Sequence, residues 1–365
     1  MGIPQLLQFN TLLILAALFI GIIGSQALSS NFGSNNFIMT LFILSLALGL
    51  LVISADFFIK GAKGLARRGG IPEVVIGLTI VSIGTSLPEI LVTCTAALDS
   101  SNNPEIADFA IGGIFGSILV QITLILGIVA LYRGIEIRPS WLKRDGLIMM
   151  MSLLAFTLFL LTDYTISRLE GLILVSSYIF YITWLLYNRN VIEKDEKVEQ
   201  DLDLKGISWT GAAYFVMIII GLSLAVFAAH HLIEYASDIA YRLNVPHAVI
   251  GTTVSGLGTS LPELTIALMA VRQSQGVAIG TLIGSNITDP LLSIGSAAII
   301  SPLTITSGGV DMFIWLIIPY TIFSTAIALV LMRTSYVFKR WEGILLISLY
   351  FVFLALCEYF RRFGF

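Results

Sequence analysis

The chain has 365 residues, of which 57% are hydrophobic and only 12% are charged. Soluble domains carry about 25% charged residues, so the composition excludes an ordinary soluble protein. The net charge of −3 provides no basic surface for nucleic acid. The two cysteines, Cys94 and Cys357, lie in apolar stretches and form neither a disulfide framework nor a metal-ligand pattern. An integral membrane protein surrounded by lipid is predicted.

Eleven apolar segments approach the roughly 20 residues that a membrane-spanning helix needs. They lie at 9–28, 37–59, 72–98, 105–131, 146–162, 169–187, 209–238, 246–270, 275–301, 310–332 and 339–361. The first resembles a signal peptide in its small residues around Ala27, but the stretch 1–10 has no Lys or Arg. A retained extra helix is therefore favoured over a cleaved signal peptide, and the other ten segments form the predicted core.

The basic residues lie mainly on one side when the predicted helices alternate in direction. Sixteen Lys and Arg residues fall on that side and four on the other. Because basic loops stay in the cytoplasm, the loops 60–71, 132–145 and 188–208 are predicted to be cytoplasmic and the C-terminus external. A plasma-membrane protein with its N-terminus inside is expected if the first helix is retained.

Two pairs of segments repeat along the chain. Residues 75–89 read VIGLTIVSIGTSLPE and residues 249–263 read VIGTTVSGLGTSLPE, with ten of fifteen positions identical. Residues 110–127 and 278–295 follow them and share Ala-Ile-Gly and Gly-Ser in register. The chain therefore contains the same unit twice.

Each unit contains five predicted helices, and an odd number places the second unit in the membrane upside down. The predicted fold is an all-α polytopic membrane protein, with a ten-helix core of two inverted five-helix repeats plus one extra N-terminal helix. Its parts are the extra helix or signal peptide (1–36), the first repeat (37–187), a cytoplasmic acidic linker (188–208) and the second repeat (209–365). Such repeats are typical of secondary transporters, which bind their substrates at the repeat interface near the membrane midplane.

Three acidic residues, Glu89, Glu263 and Asp289, fall near the middle of predicted membrane helices. Gln121 occupies the repeat position of Asp289. A charged side chain at the bilayer centre costs about 2.5–3.5 kcal/mol on insertion scales, so these acids require compensation. Bound cations or protons provide it, and a cation site is predicted.

Each Gly-Thr-Ser-Leu-Pro-Glu motif also has the pattern of a helix start. Ser86 and Ser260 are predicted N-caps, with the glutamate at the capping-box position and proline disfavouring a helical residue before it. A helix break at membrane depth is tolerated where the backbone is buried or lines a cavity. The carbonyls near Ser82 and Gly256 are therefore candidate ligands, and a purely structural cap is the alternative.

A glycine pattern accompanies the second repeated segment. Gly112, Gly116, Gly280 and Gly284 recur every fourth residue and predict close helix packing. The serines that follow the second glycine of each pair add hydroxyl oxygens to the candidate ligands. An all-oxygen set suits calcium, sodium, magnesium or manganese and disfavours zinc and copper.

Through these motifs the sequence resembles the cation/calcium antiporter superfamily, most closely its sodium/calcium exchangers of prokaryotic type. The resemblance covers roughly 37–361 and implies alternating access, with sliding of the helices 37–59 and 209–238. It implies that the glutamates bind calcium and that the neighbouring hydroxyls complete sodium sites. The implied cation-binding residues are Glu89, Glu263, Asp289, Gln121, Thr85, Ser86, Thr259, Ser260, Ser117, Ser285, Ser82 and Gly256, the last two through backbone carbonyls.

One position departs from the family pattern. The first repeat has Ile118 and Gln121 where the family usually has Asn at both. Proton/calcium exchangers also carry Gly-Ser-Ile here, whereas the intact Gly-Thr-Ser-Leu-Pro-Glu, present twice, argues for sodium.

The predicted function is that of a secondary active antiporter exchanging sodium for calcium, with these ions transported and no cofactor or enzymatic activity. A proton/calcium or other divalent cation antiporter of the same superfamily is the alternative. An intramembrane aspartyl protease needs two facing aspartates, and Asp289 is the one aspartate predicted at membrane depth. A channel also accommodates broken helices, but two repeats with acids at one level favour a binding site. The sequence leaves the driving ion and the oligomeric state open.

Overall fold

The computed structural model describes residues 3–32, 37–68, 82–100, 103–132, 134–137, 139, 142–188, 211–243, 245–261, 263–264, 267–268 and 275–363. Most of these residues are helical, as lipid requires, because a helix satisfies its backbone hydrogen bonds within the segment. Seven of the described helices are long and apolar enough to cross a membrane. The prediction of a mainly helical integral membrane protein is confirmed.

The helices follow the predicted order. They are α1 (Ile3–Phe32), α2 (Phe37–Arg68), α3 (Ser82–Thr85), α4 (Leu87–Asp99), α5 (Glu105–Tyr132), α6 (Leu142–Asp163), α7 (Arg168–Tyr187), α8 (Gly211–Leu243), α9 (247–259), α10 (275–300), α11 (307–335) and α12 (Arg340–Phe363). The predicted spans 72–98 and 246–270 and the linker 188–208 lie partly or wholly outside the described residues.

One predicted loop is partly wrong. Residues 60–68 continue helix α2 instead of forming a loop. The cause is local, since Lys60 pairs with Asp56 one turn earlier and Lys and Arg are good helix formers. Charged residues mark where a helix leaves the apolar part of a membrane, but they do not end the helix.

Two short antiparallel ladders join loops that are distant in sequence. Strand β1 (Ile135–Glu136) pairs with β4 (Val337–Phe338), and β2 (Thr165–Ile166) pairs with β3 (Leu303–Thr304). The α5–α6 loop therefore lies beside the α11–α12 loop, and the α6–α7 loop beside the α10–α11 loop. Each ladder joins one half of the chain to the other.

The same backbone turn precedes a strand in both halves. Tyr164 and Tyr336 end α6 and α11 in the left-handed region, with φ of 59° and 53°. Their carbonyls accept hydrogen bonds from the amides of Ile305 and Ile137, at 2.8 and 2.7 Å. The two turns thus extend the two ladders in equivalent ways.

The apolar interior forms two clusters. The larger one lies mainly between α5, α6, α7, α10, α11 and α12. The second lies mainly between α1, α2 and α8 and reaches the middle and later part of α4 and the start of α5. Within it α1 packs on α2. Helix α1 also contacts α8, where the rings of Phe19 and Phe227 lie 4.7 Å apart. The helices that the resemblance marks as sliding, α2 and α8, share this cluster.

Helices α5 and α9 approach each other at backbone distance. A Cβ at Gly116 would overlap the backbone of Thr252, and one at Gly112 would lie 2.5 Å from the carbonyl oxygen of Ala248. The predicted close packing is correct for these glycines. For Gly280 and Gly284 it stays a prediction, because the equivalent partner segment of the first half, within 69–81, lies outside the described residues. The contact between α5 and α9 holds Ser117 against the broken helix of the second half.

Candidate cation-binding site

Both Gly-Thr-Ser-Leu-Pro-Glu motifs interrupt a helix at the serine. Ser86 has φ −81° and ψ 7°, and Ser260 has φ −84° and ψ 6°, so the two interruptions are alike. Each lasts about one residue, because the amides of Ile90 and Leu264 bond to the serine carbonyls at 3.0 and 3.1 Å. The predicted helix break is therefore present, but it is confined to about one residue.

The predicted side-chain cap is wrong. Ser86 stands at the N-cap position of α4, but its hydroxyl makes no capping hydrogen bond. That hydroxyl is buried and lies beside Asp289, and it makes no hydrogen bond within the part of the chain that the structure describes. Ser260 directs its hydroxyl to Ser117, 3.1 Å away. The serines of the motif thus face the interior of the site and do not cap the following helix turn.

The predicted carbonyl ligands lie within helical turns. Ser82 begins α3, and Gly256 lies in α9 against the backbone of Gly116 and Ser117. A ligand role for their carbonyls stays a prediction. Pro88 has no N–H that could donate to the carbonyl of Gly84, four residues earlier. The Gly84 carbonyl is therefore a further candidate ligand, which was absent from the predicted set.

The three predicted acids are all buried. The exposed fraction is 2% for Glu89 and 0% for both Glu263 and Asp289. Glu89 lies in the first turn of α4, Glu263 three residues after Ser260, and Asp289 within α10. Such burial is costly for a carboxylate unless partners or cations compensate it.

Ser117 is the centre of one group of contacts. Its hydroxyl lies 3.2 Å from Glu89 Oε1, 2.9 Å from Asp289 Oδ2 and 3.1 Å from Ser260 Oγ. A hydroxyl has one proton to donate, so it bonds one carboxylate at a time. Two of the three acids and both predicted repeats meet at this side chain.

A second group of contacts surrounds Glu263. Ser285 donates to Glu263 Oε1 at 3.3 Å, and its hydroxyl lies 3.2 Å from that of Thr85. Thr85 also lies beside Glu263, and Thr259 lies beside Glu89. Each threonine of the repeated motif thus accompanies the glutamate of the other copy.

Gln121 presents its nitrogen to the site. Its Nε2 lies 2.7 Å from Ser117 Oγ and 3.3 Å from Asp289 Oδ2, while its Oε1 accepts a hydrogen bond from Asn286. The resemblance predicts the amide oxygen as the ligand, but this oxygen faces Asn286 and points away from Asp289. A ligand role for Gln121 requires this amide to turn.

In the described part of the chain, one oxygen of each acid has no hydrogen-bond partner. Oε2 of Glu89, Oε2 of Glu263 and Oδ1 of Asp289 are buried and unpaired. Among the described residues, no three acidic, histidine or cysteine side chains converge closely enough to hold a metal ion between them. Hydroxyls separate the carboxyl groups, so the arrangement suits mixed carboxylate and hydroxyl coordination, which sodium and calcium accept.

Further polar residues belong to this region and were not predicted. Thr93 and Ser255 join Glu89 and Thr259 in lining a cavity of about 10 Å³, enough for one water molecule. Asn286 contacts Gln121. Helical spacing indicated the first two, since each lies one turn from a predicted ligand, whereas no simple pattern indicated the orientation of Asn286.

Two of the π-helical turns carry predicted site residues. Gln121 lies in the turn Val120–Ile125 of α5, and Asp289 begins the turn Asp289–Ser293 of α10. A π turn inserts one extra residue and rotates the side chains that follow, and it is frequent at functional sites. Pro290 is a sequence signal for the second turn, but the first has none.

Membrane-spanning helices around three buried acids define an integral membrane transport protein. Comparison with known proteins then gives its family. A family model described as sodium/calcium exchanger protein matches residues 39–187 and again residues 213–357. The chain belongs to the sodium/calcium exchanger family of the cation/calcium antiporter superfamily, as its motifs predicted.

Individual relatives agree with this assignment. The sodium/calcium exchanger MaX1 of Methanosarcina acetivorans is 31% identical over 360 residues, which covers 87% of this chain and 98% of MaX1. The inner membrane protein YrbG of Escherichia coli is 32% identical over 268 residues, or 71% of this chain and 79% of YrbG. The solved sodium-calcium exchanger NCX_Mj, soaked with sodium and strontium, superposes with a TM-score of 0.57 at 28% identity and covers 88% of this chain and 99% of its own.

Proposed function

We propose that this protein is a secondary active antiporter that exchanges sodium for calcium by alternating access. The observation that carries the proposal is the set of three buried acids, each with one oxygen that has no hydrogen-bond partner among the described residues. These oxygens, with the hydroxyls between them, are suited to hard cations. The ions are transported substrates, and the site residues act by binding them.

Charge neutralisation links the two ions. Buried carboxylates are costly inside a membrane, so the protein crosses between its two open states most readily when cations balance them. One calcium ion or several sodium ions provide this balance at the same acids. Because both loads need Glu89, Glu263 and Asp289, binding of one excludes the other, and exchange follows.

The hydroxyls favour sodium as the driving ion. Thr85, Ser117, Ser260 and Ser285 all lie within hydrogen-bond distance of another site residue and are buried. A proton needs only a carboxylate, whereas a sodium ion needs several oxygens around it. The relative MaX1 is named a sodium/calcium exchanger. A proton/calcium or other divalent cation antiporter remains the alternative, since the same acids bind protons.

The two family matches and the two ladders support the inverted arrangement. If 37–187 and 209–365 are inverted repeats, the pairs β1–β4 and β2–β3 lie on opposite membrane faces, and each joins loops of like orientation. From the distribution of basic residues we expect β1–β4 on the cytoplasmic side and β2–β3 on the outer side. Helices α2 and α8 pack on each other in a cluster that also contains α1 and parts of α4 and α5, whereas most of the other helices share the larger cluster, which is consistent with α2 and α8 sliding as one unit.

Calcium uptake into proteoliposomes tests the proposal. Vesicles loaded with sodium take up calcium when diluted into sodium-free buffer, and uptake stops when internal sodium is replaced by choline. Glu89→Gln abolishes this uptake, whereas Asp311→Asn, at an exposed acid, leaves it intact. Uptake that follows a pH gradient and ignores sodium establishes the proton alternative.

A further inference from the structure

A chain of hydrogen bonds beside the site begins at a backbone carbonyl. Asn286 donates from Nδ2 to the carbonyl oxygen of Leu282 at 2.7 Å, and the same Nδ2 donates to Gln121 Oε1 at 2.9 Å. A backbone carbonyl only accepts, so it is the nitrogen of Asn286 that faces it. The carbonyl of Leu282 therefore fixes the orientation of Asn286.

The orientation of Gln121 follows from that of Asn286. The atom that faces Asn286 Nδ2 must be an acceptor, which is Gln121 Oε1. The Nε2 group of Gln121 then faces Ser117 Oγ at 2.7 Å and Asp289 Oδ2 at 3.3 Å. A flipped Gln121 would place its N–H against that of Asn286 and its oxygen against a carboxylate. Both amides are buried, so water would not compensate this mismatch.

An amide in this orientation disfavours a cation between Gln121 and Asp289. Its N–H groups carry partial positive charge and occupy the side of Asp289 Oδ2 where a monovalent ion would sit. Ser117 donates to the same oxygen, so Oδ1 is the atom of Asp289 that lacks a hydrogen-bond partner. The repeat position of Asn286 is Ile118, whose side chain has no polar atoms. The equivalent side-chain hydrogen bond therefore cannot form in the first half of the chain.

We propose that Asn286 is a positioning residue that keeps the oxygen of Gln121 out of the cation site and so determines how strongly sodium binds beside Asp289. This inference rests on the proposed sodium-calcium exchange. Gln121 acts as a hydrogen-bond donor to Asp289 in place of a bound ion. Calcium, held mainly by Glu89 and Glu263, is affected less than sodium.

Asn286→Leu tests the inference, because leucine has the same branched shape and no donor. Without Asn286 the amide of Gln121 turns and offers its oxygen to sodium. The half-saturating sodium concentration in calcium-uptake assays is expected to fall about three- to tenfold, the range of one hydrogen bond. The half-saturating calcium concentration is expected to change less. Asn286→Ser is the second variant, because its hydroxyl can bond Leu282 but is too short to reach Gln121.

The background Gln121→Leu provides the matched control. In this background no Gln121 amide is left to turn, so adding Asn286→Leu leaves the half-saturating sodium concentration unchanged. A general packing defect at Asn286 would instead shift it in both backgrounds. Equal sodium shifts in the two backgrounds, or no fall in half-saturating sodium for either Asn286 variant, overturn the inference. Sodium-induced thermal stabilisation of the purified variants measures binding without transport. Wild-type flux separately tests the proposed exchange, so the two failures are distinguishable.

Discussion

The hydroxyl oxygens of Ser117 and Ser260 lie 3.1 Å apart, across the contact between α5 and the interrupted helix of the other half. Thr85 and Ser285 form the reciprocal contact at 3.2 Å. Each copy of Gly-Thr-Ser-Leu-Pro-Glu thus meets the Gly-Ser segment of the opposite copy. These reciprocal contacts require both halves of the chain. They explain why the acids of the two halves lie in one cluster.

Ser117→Ala is expected to weaken calcium binding about tenfold or more. The hydroxyl contacts Glu89 and Asp289, and hydrogen bonds to charged groups are worth about 1.5–3 kcal/mol. The measurement is calcium uptake against external calcium concentration. Ser152→Ala is the control, because this buried hydroxyl bonds to the Met149 carbonyl of its own helix. Similar shifts in both variants would contradict a specific role for Ser117.

Gly116→Ala is expected to destabilise the folded protein by roughly 1–3 kcal/mol. The added methyl group would overlap the backbone of Thr252, which cannot move without shifting α9. Thermal unfolding of the purified protein in detergent measures the effect. Gly308→Ala is the control, because in the exposed first turn of α11 an added Cβ has Thr306 Oγ1 at 3.9 Å as its nearest described neighbour, so this variant should be neutral or stabilising. A stability loss at Gly116 no larger than that at Gly308 would contradict the close contact between α5 and α9.

Ser167→Ala is expected to cost about 1 kcal/mol of stability, whereas Ser86→Ala should cost less. Ser167 and Glu170 form a complete capping box at the start of α7, with the Ser167 amide donating to Glu170 at 2.8 Å. Ser86 has the same Ser-x-x-Glu spacing but no capping bond. Thermal unfolding compares the two variants. A stability loss at Ser86 equal to that at Ser167 would restore the capping interpretation of the motif.

The two Ser-x-x-Glu segments also show which features of the structure a local sequence pattern predicts and which it does not. At Ser167 the segment begins a helix, and a local rule predicts the bonds correctly. At Ser86 the same spacing lies inside the membrane, where Glu89 turns to Ser117 and leaves the cap unmade. A local pattern predicts which residues are polar and buried, but partners from other helices decide which bonds they form.

The positions of the acids were predictable because burial of charge leaves a strong signal in an apolar sequence. Glu89, Glu263 and Asp289 interrupt runs of hydrophobic residues, and the internal repeat ties their positions together. The orientation of Gln121 was not predictable, since it depends on Asn286 and on the carbonyl of Leu282. The π turn at Gln121 likewise has no local signal in its sequence.

Cross-linking α8 to α4 is expected to stop transport, whereas cross-linking α8 to α2 should not. His230 and Asp99 join α8 to α4, with Nδ1 and Oδ2 3.7 Å apart. Thr40 and Asp238 join α2 to α8, with Oγ1 and Oδ2 3.0 Å apart. If α2 and α8 slide together past the other helices, a covalent link across that boundary blocks alternating access, and a link inside the pair moves with it.

Paired cysteines in a protein lacking Cys94 and Cys357 make this measurement possible. A short reducible thiol reagent is applied to His230→Cys with Asp99→Cys and, as the matched control, to Thr40→Cys with Asp238→Cys. Calcium uptake should be lost in the first pair and return after reduction, while the second pair retains uptake throughout. Retained uptake in a fully cross-linked first pair would mean that α8 does not move relative to α4, and the sliding of α2 and α8 would have to be abandoned.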